Sequence, residues 1–202
     1  LIGFGNVGQN LAETLEAHPA DLRENYGLNL KVVAIVDRGG AAISNAGIGL
    51  SEALKVKRLE GSVSAMKDSG RTNLSALEVL EEVDANIVVE ATSTNLEGGQ
   101  PRLMHIEKAL RLERDVVTTN KGPLARSLPY LIDLARRKGV SLRFSGAVGG
   151  AMPILEFAKR CLYGERIESI RGVLNGTTNY VLWRMAEKRI SCLLYTSDAA
   201  DE

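Results

Sequence analysis

Three glycines, Gly3, Gly5 and Gly8, stand in the spacing G-x-G-x-x-G directly after the apolar pair Leu1-Ile2. In that spacing the first glycine permits a tight turn, the second lets a phosphate approach bare backbone, and the third lets a helix pack close to the preceding strand. Phe4, Asn6 and Val7 complete the turn. The free N–H groups of a helix start, from Asn6 to Gly8, would face an anion held there. A glycine-rich turn that holds nothing has the same spacing, so the rest of the chain has to decide.

Two further groups carry chemistry. Asp37 closes the apolar run Leu30–Val36 and is followed at once by Arg38. A carboxylate at the end of a second strand accepts the ribose hydroxyls of an adenosine. A guanidinium beside it pairs with a 2′-phosphate. Asp37 favours NAD and repels that phosphate, so the pair points to dual use or to a lean toward NADP. Arg38 as a solvated strand-end charge fits equally well. The gap from the turn exceeds the usual distance of about 20 residues, and the polar stretch before Leu30 explains the excess. The second group is Thr92 and Ser93, after the apolar run Asn86–Glu90, with Asn120-Lys121-Gly122-Pro123 after Asp115–Thr119. Small polar residues at the carboxyl ends of parallel strands sit where ligands bind in open α/β sheets.

The elements that must position these residues follow from periodicity. Val7, Leu11, Leu15 and His18 form a helical stripe that Pro19 closes. Ala20–Asn29 reads as an exposed connection and Leu30–Asp37 as a buried strand. Gly39–Ser75 is less regular, with a short helix over Ser51–Leu59 carrying Lys55, Lys57 and Arg58. That charge run is a solvated face, or a wall of the adenosine pocket if the helix folds back near Arg38. Ser75–Val83 is a helix whose capping box is Ser75 and Glu78. Strands over Asn86–Glu90, Asp115–Thr119 and Val140–Phe144 alternate with helices starting at Pro101 and Pro123, the second ended by Gly139. His105 lies off the apolar stripe of its helix and reads as a surface residue. This alternation means α/β architecture, a doubly wound parallel sheet of the Rossmann type. After Ser145 a glycine-rich loop opens a helix at Pro153. Glu165–Val173 alternates like a strand, and Tyr180–Lys188 is a further helix. These read as the beginning of a second, α+β domain for substrate and dimerisation. The expected division is 1–146, 147–190, and a tail at 191–202.

Composition excludes several classes. The chain has 202 residues, 25 Lys and Arg against 25 Asp and Glu, two cysteines and two histidines. Zero net charge gives no support to nucleic-acid or anionic-membrane partners, and no apolar run reaches the ~20 residues of a membrane span. Cys161 and Cys192 form neither a metal pattern nor a disulfide framework, which fits a reducing, cytoplasmic setting. The chain opens inside its first strand without Met, and no signal peptide is visible, so it reads as N-terminally trimmed.

Four stretches coincide with one family: Gly3–Gly8, Glu90-Ala91-Thr92-Ser93-Thr94, Val117–Ala125 with its Asn-Lys-Gly-Pro-Leu-Ala core, and Gly172–Tyr180 with Leu-Asn-Gly-Thr-Thr-Asn-Tyr. In their order and spacing, from Leu1 to about Ile190, the chain resembles homoserine dehydrogenase. The resemblance implies an oxidoreductase that reduces aspartate 4-semialdehyde to homoserine with NAD(P)H, on the route to threonine and methionine, acting as a homodimer on a small-molecule substrate. It makes Gly3 to Gly8, Asp37, Arg38, Thr92, Ser93 and Lys121 cofactor contacts. Lys121 is then the catalytic cation that meets the charge growing on the carbonyl oxygen. Asn175, Gly176 and Thr177 become the substrate cleft. Some members hold a sodium ion on backbone carbonyls, here Val148, Gly150 and Met152. Ser145 stands where the resemblance places a glutamate, and a neutral hydroxyl is a poorer partner for a hard cation.

The match ends abruptly. The family's Gly-Tyr-Ala-Glu-x-Asp-Pro segment and the acid and lysine beyond it are missing, and Ser191–Glu202 reads as foreign to the family. The expectation is a fragment that lacks its proton donor. The alternative is a non-catalytic, redox-sensing dinucleotide module, which has no use for Lys121 in its motif or for the Asn175 turn. A different semialdehyde or hydroxy-acid dehydrogenase is weaker still. The first normally uses a catalytic cysteine and the second a His–Asp pair, and neither cysteine nor histidine is suitably placed.

Overall fold

The computed structural model describes residues 1–93, 101–150, 152–173 and 175–188; the expected tail at 191–202 lies outside them. Two compact units are present, Leu1–Ala147 and Val148–Glu202.

In the first unit, Ile2 and the glycine turn lead into α1 (Asn6–Ala17), α2 (Pro19–Tyr26), β1 (Ala34–Asp37), β2 (Gly40–Ile43) and α3 (Leu50–Glu60). A 3-10 turn at Val63–Ala65 precedes β3 (Gly70–Thr72), α4 (Ala76–Glu82), β4 (Ile87–Glu90) and α5 (Arg102–Arg111). The unit closes with β5 (Asp115–Thr118), α6 (Lys121–Lys138), β6 (Leu142–Arg143) and a 3-10 turn at Ser145–Ala147. The sheet runs β3-β2-β1 on one side and β4-β5-β6 on the other. Ile2 bridges the halves, parallel to Val36 of β1 and to Glu90 of β4. The strand order therefore switches direction at Ile2, and the crevice of such a switch point lies at the carboxyl ends of the strands, where the glycine turn leaves the sheet.

The crossover part is parallel, as expected: β4 pairs with β5 and β5 with β6. The β1-β2-β3 part is antiparallel, which corrects the reading of Gly39–Ser75 as irregular. Asp37 pairs with Gly40, so Arg38 and Gly39 form a two-residue hairpin loop. These strands are three or four residues long and rich in Gly and Ala, which removes the β-branched signal that marks a strand. The Pro19–Tyr26 helix is a second correction. It is exposed, as expected, but it has Pro at its first turn and a left-handed Gly27 cap, φ 65°, two ordinary helix boundaries.

Helix ends elsewhere follow local chemistry. Ser75 and Glu78 form the reciprocal capping box of α4. Asn120 caps α6, accepting from Gly122 N at 3.3 Å, and left-handed Gly139 closes it. Pro129 withholds a donor inside α6, and the helix breaks two residues earlier at Ser127, φ −139°.

The sheet carries a core on each face. On one, Ile2, Val36, Val88 and Val116 pack with Val79 and Leu80 of α4, Ile106 and Leu110 of α5, and Leu131 and Leu134 of α6. On the other, Phe4 and Ile35 pack with Ala12 of α1, Ala53 and Leu54 of α3, and Val63. β4 and β5 are not buried on both faces, since Ile87 and Val117 are 47 % and 38 % exposed.

His105 corrects the surface reading. It is buried on α5, and its Nδ1 has no hydrogen-bond partner among the described residues. The inward arc of α5 is wider than its apolar stripe, and His105 lies in it next to Ile106, with Ala109 and Leu110 one turn on. In the second unit α7 (Ile154–Cys161) and α8 (Gly176–Lys188) form. The expected strand at Glu165–Val173 does not: it is exposed, without strand pairing among the described residues. A strand requires a neighbour to satisfy its backbone. No helix among the described residues is long and apolar enough to cross a membrane.

Burial, then the charge of Arg102, holds the His105 imidazole below its ordinary value of 6.5. Between the folded and unfolded values the unfolded chain binds more protons, so stability is complete above about 6.5 and falls as pH drops through that window. NMR titration of the folded chain should give a His105 midpoint below 6.5, and His105→Leu should flatten the unfolding free energy over the same range.

Candidate functional site

The crevice at the carboxyl ends contains a cavity of about 720 Å³ lined by Gly3, Phe4, Gly5, Asp37, Arg38, Lys57, Thr92, Ser93 and His105, among others. Asn6, Val7, Gly8 and Lys121 are not part of that lining.

The glycine turn is built as its spacing implies, with a different constraint at each position. Gly3 has φ +95°, and a Cβ there would lie 2.6 Å from Ala91 C and Thr92 N, so the turn passes directly over the end of β4. A Cβ on Gly8 would lie 2.2 Å from Gly3 O, which is what seats α1 against the turn. Gly5 meets nothing within 4 Å. The fold forbids side chains at Gly3 and Gly8 but leaves open space at Gly5. That open space lies beside the α1 N-terminus, where exposed Asn6 and Val7 begin the helix.

Asp37 is surrounded by donors. Its side chain is 4 % exposed. Oδ1 accepts from Gly39 N at 2.9 Å and Ser62 Oγ at 2.7 Å. Oδ2 accepts from Lys57 Nζ at 2.8 Å and Val63 N at 3.0 Å. Burial alone would raise its pKa, but Lys57, Ser62, Val63 and Gly39 together hold it below the ordinary value. Both lone pairs of each oxygen are engaged, so a ribose hydroxyl must compete with these donors. Lys57 comes from α3 and folds back to the end of β1, while its neighbour Arg58 turns outward to Glu13. Arg38 is exposed on the hairpin loop. This part of the cavity thus carries Arg38 and Lys57 around one neutralised carboxylate. The sequence left the Lys55, Lys57 and Arg58 run open between a solvated face and a pocket wall; Lys57 lines the cavity, and its pairing with Asp37, 20 residues away, was not foreseen.

At the other end of the cavity, Glu90 is fully buried, and it was not singled out from the sequence. Its carboxyl accepts from Thr92 N at 3.2 Å, from the Thr92 hydroxyl, and from Thr118 Oγ1 at 3.1 Å. Burial raises its pKa, opposed by hydrogen bonds from Thr92, Thr118 and Asn120. Asn120 is also buried. Its Nδ2 donates to Thr92 O at 3.3 Å, and its backbone N donates to Thr118 Oγ1 at 3.1 Å. The Ser93 carbonyl accepts from Arg102 Nε at 2.7 Å. Lys121 is exposed at the first position of α6, beside Asn120. The structure brings Thr92 and the Asn120-Lys121 turn together through Asn120.

The remaining predicted residues lie in the second unit. Asn175 Oδ1 accepts from Thr178 N at 2.8 Å and so caps α8, where Gly176 and Thr177 form the first turn. Val148, Gly150 and Met152 lie on the loop before α7, where no carboxylate bonds to them among the described residues. Nor do three or more His, Cys, Asp or Glu side chains gather as a metal site among those residues.

Comparison with known proteins gives the same partition. Residues 3–145 match the homoserine dehydrogenase, NAD binding domain family, and residues 153–201 match the homoserine dehydrogenase family. Homoserine dehydrogenase of Methanocaldococcus jannaschii is 45 % identical over 188 residues, covering 93 % of this chain and 55 % of that protein. The NAD(+)-dependent homoserine dehydrogenase of Pseudomonas canavaninivorans is 35 % identical, covering 92 % and 53 %. A hyperthermophilic archaeal homoserine dehydrogenase in complex with NADPH superposes with a TM-score of 0.82 at 31 % identity, over 99 % of this chain and 59 % of that one. The chain thus spans little more than half the length of these relatives.

The turn geometry separates fold from ligand access. Gly8→Ala should lower the unfolding free energy by about 1–3 kcal/mol, because the clash with Gly3 O outweighs the gain in helix propensity. Gly5→Ala should stay within about 1 kcal/mol of wild type. Urea unfolding of the two variants checks the contrast.

Proposed function

This chain belongs to the homoserine dehydrogenase family, and on that premise we propose that its cavity binds NADPH or NADH as part of a protein that reduces L-aspartate 4-semialdehyde to L-homoserine. The supporting observation is the open space at Gly5 beside the α1 N-terminus, in a cavity lined by the cationic Arg38 and Lys57 and by the polar Thr92 and Ser93. A pyrophosphate fits at that open space. An adenosine 2′-phosphate fits at Arg38, because Lys57 already neutralises Asp37 and Arg38 is exposed without an ion pair among the described residues. The nicotinamide end then points toward Thr92 and Ser93.

The cofactor supplies hydride. The protein's part is orientation by the glycine turn and by Thr92, and stabilisation of the charge that grows on the aldehyde oxygen. Lys121, exposed beside Asn120, is the cation we assign to that oxygen. The Asn175-Gly176-Thr177 turn is assigned to the substrate. The whole protein is read as a cytoplasmic homodimer taking a small-molecule substrate. A sodium ion at Val148, Gly150 and Met152 has no support beyond the resemblance.

Fluorescence titration of the 202-residue chain with NADPH and NADH tests the binding. Both should bind, NADPH more tightly. Arg38→Ala should weaken NADPH about tenfold and leave NADH nearly unchanged, as expected for loss of a charged hydrogen bond to the 2′-phosphate. Gly5→Ala should weaken both while the fold survives. Equal weakening of NADPH and NADH by Arg38→Ala would remove Arg38 from this role.

A further inference from the structure

Glu90 is fully buried, and no cation pairs with it among the described residues. A buried carboxyl without a cation is costly unless donors surround it. Here one of the donors, Thr92, lines the cavity. One oxygen takes both the backbone N–H and the hydroxyl of Thr92. The other takes the Thr118 hydroxyl, whose oxygen in turn accepts from Asn120 N. Asn120 closes the loop by donating from Nδ2 to Thr92 O, while its Oδ1 caps α6 at Gly122 N. One side chain therefore ties the end of β4 to the end of β5 and, through Asn120, to the first turn of α6. Thr92 N also lies against Gly3, where a Cβ would approach it to 2.6 Å, so the glycine turn and this network share an edge.

Glu90 itself does not line the cavity, whereas Thr92 and Ser93 do. It reaches a ligand only through them. Resting on the dinucleotide reading above, we propose that Glu90 is a positioning residue that fixes Thr92 and the Asn120-Lys121 turn in one geometry at the nicotinamide end of the site. The adenosine end does not depend on it, because Asp37, Lys57 and Arg38 are held by α3, the β1–β2 loop and the Val63 turn.

That division gives the test. NADPH reaches both ends of the site, whereas 2′-phospho-ADP-ribose carries the adenosine end and pyrophosphate without nicotinamide. Both ligands are titrated against the 202-residue chain, wild type and variants, with thermal unfolding recorded alongside. Glu90→Ala should weaken NADPH about tenfold and leave 2′-phospho-ADP-ribose within about twofold. Glu90→Gln keeps an acceptor for Thr92 and should recover most of the NADPH affinity. Thr118→Val removes one donor to Glu90 and the acceptor of Asn120 N without touching the cavity lining, so it should show the same ligand selectivity more weakly. It stands in for Glu90→Ala if that variant does not fold. Parallel weakening of both ligands, or no change in either, overturns the positioning role while the dinucleotide site stands. If wild type binds neither ligand, the dinucleotide reading fails and this proposal with it.

Discussion

The backbone of Leu1 to Gly3 is hydrogen-bonded on both sides. Gly3 N donates to Val36 O and Val36 N to Leu1 O toward β1, while Ile2 N donates to Val89 O and Ala91 N to Ile2 O toward β4. This seam joins two otherwise separate three-stranded sheets. It also fixes the level at which the glycine turn leaves the sheet, over the end of β4. A shift of one residue would turn Ile2 out of the core it shares with Val36 and Val88. Core packing therefore locks the register, and the register places the open Gly5 between Asp37 and Thr92.

Two buried acids end the strands on either side of that seam, and their surroundings separate them. Asp37 has Lys57 at 2.8 Å and is held ionised. Glu90 has only neutral donors, and burial moves it the other way. At the β1 end, paired charge prepares a place where further anionic charge is tolerated. At the β4 end, hydrogen bonds from Thr92 and Thr118 replace a paired cation around the buried carboxyl. The same residue class at equivalent strand ends serves opposite electrostatic purposes.

Much of this architecture was legible in the chain. The glycine spacing, the Ser75–Glu78 capping box, the Gly139 cap and the three crossover strands are local signals, and local signals survive folding. What escaped was set by contacts distant in sequence. Lys57 could be seen as a charge but not as the partner of Asp37, since α3 must first fold back. The β2 and β3 strands are short and small-sided, so they exist through pairing with β1 rather than through propensity. His105 was misplaced because the buried arc of α5 is wider than the apolar stripe that marks it in the sequence. Glu90 looked like the polar end of an apolar strand, and only the three-dimensional convergence of Thr92, Thr118 and Asn120 reveals a reason for its burial. The Glu165–Val173 reading failed for the converse reason. Alternation is a condition for a half-buried strand, but pairing makes one.

Lys121 illustrates how a local rule is set aside at a site. A cation at the first position of a helix faces the positive end of the macrodipole, an arrangement that costs about 0.3–1 kcal/mol. No acidic residue stands in the first turn of α6 to offset it, and Lys121 ion-pairs with nothing among the described residues. A fold optimised only for stability would place Asp or Glu there, as α4 does with Glu78. The neighbouring capping is sound, with Asn120 bonded to Gly122 N and buried behind Thr92, so the mismatch is confined to one exposed side chain. Conflicts of this kind concentrate where function constrains a sequence. A lysine set against its own helix dipole, with no ion pair among the described residues, suits an anionic oxygen brought from outside, the role proposed for Lys121 above.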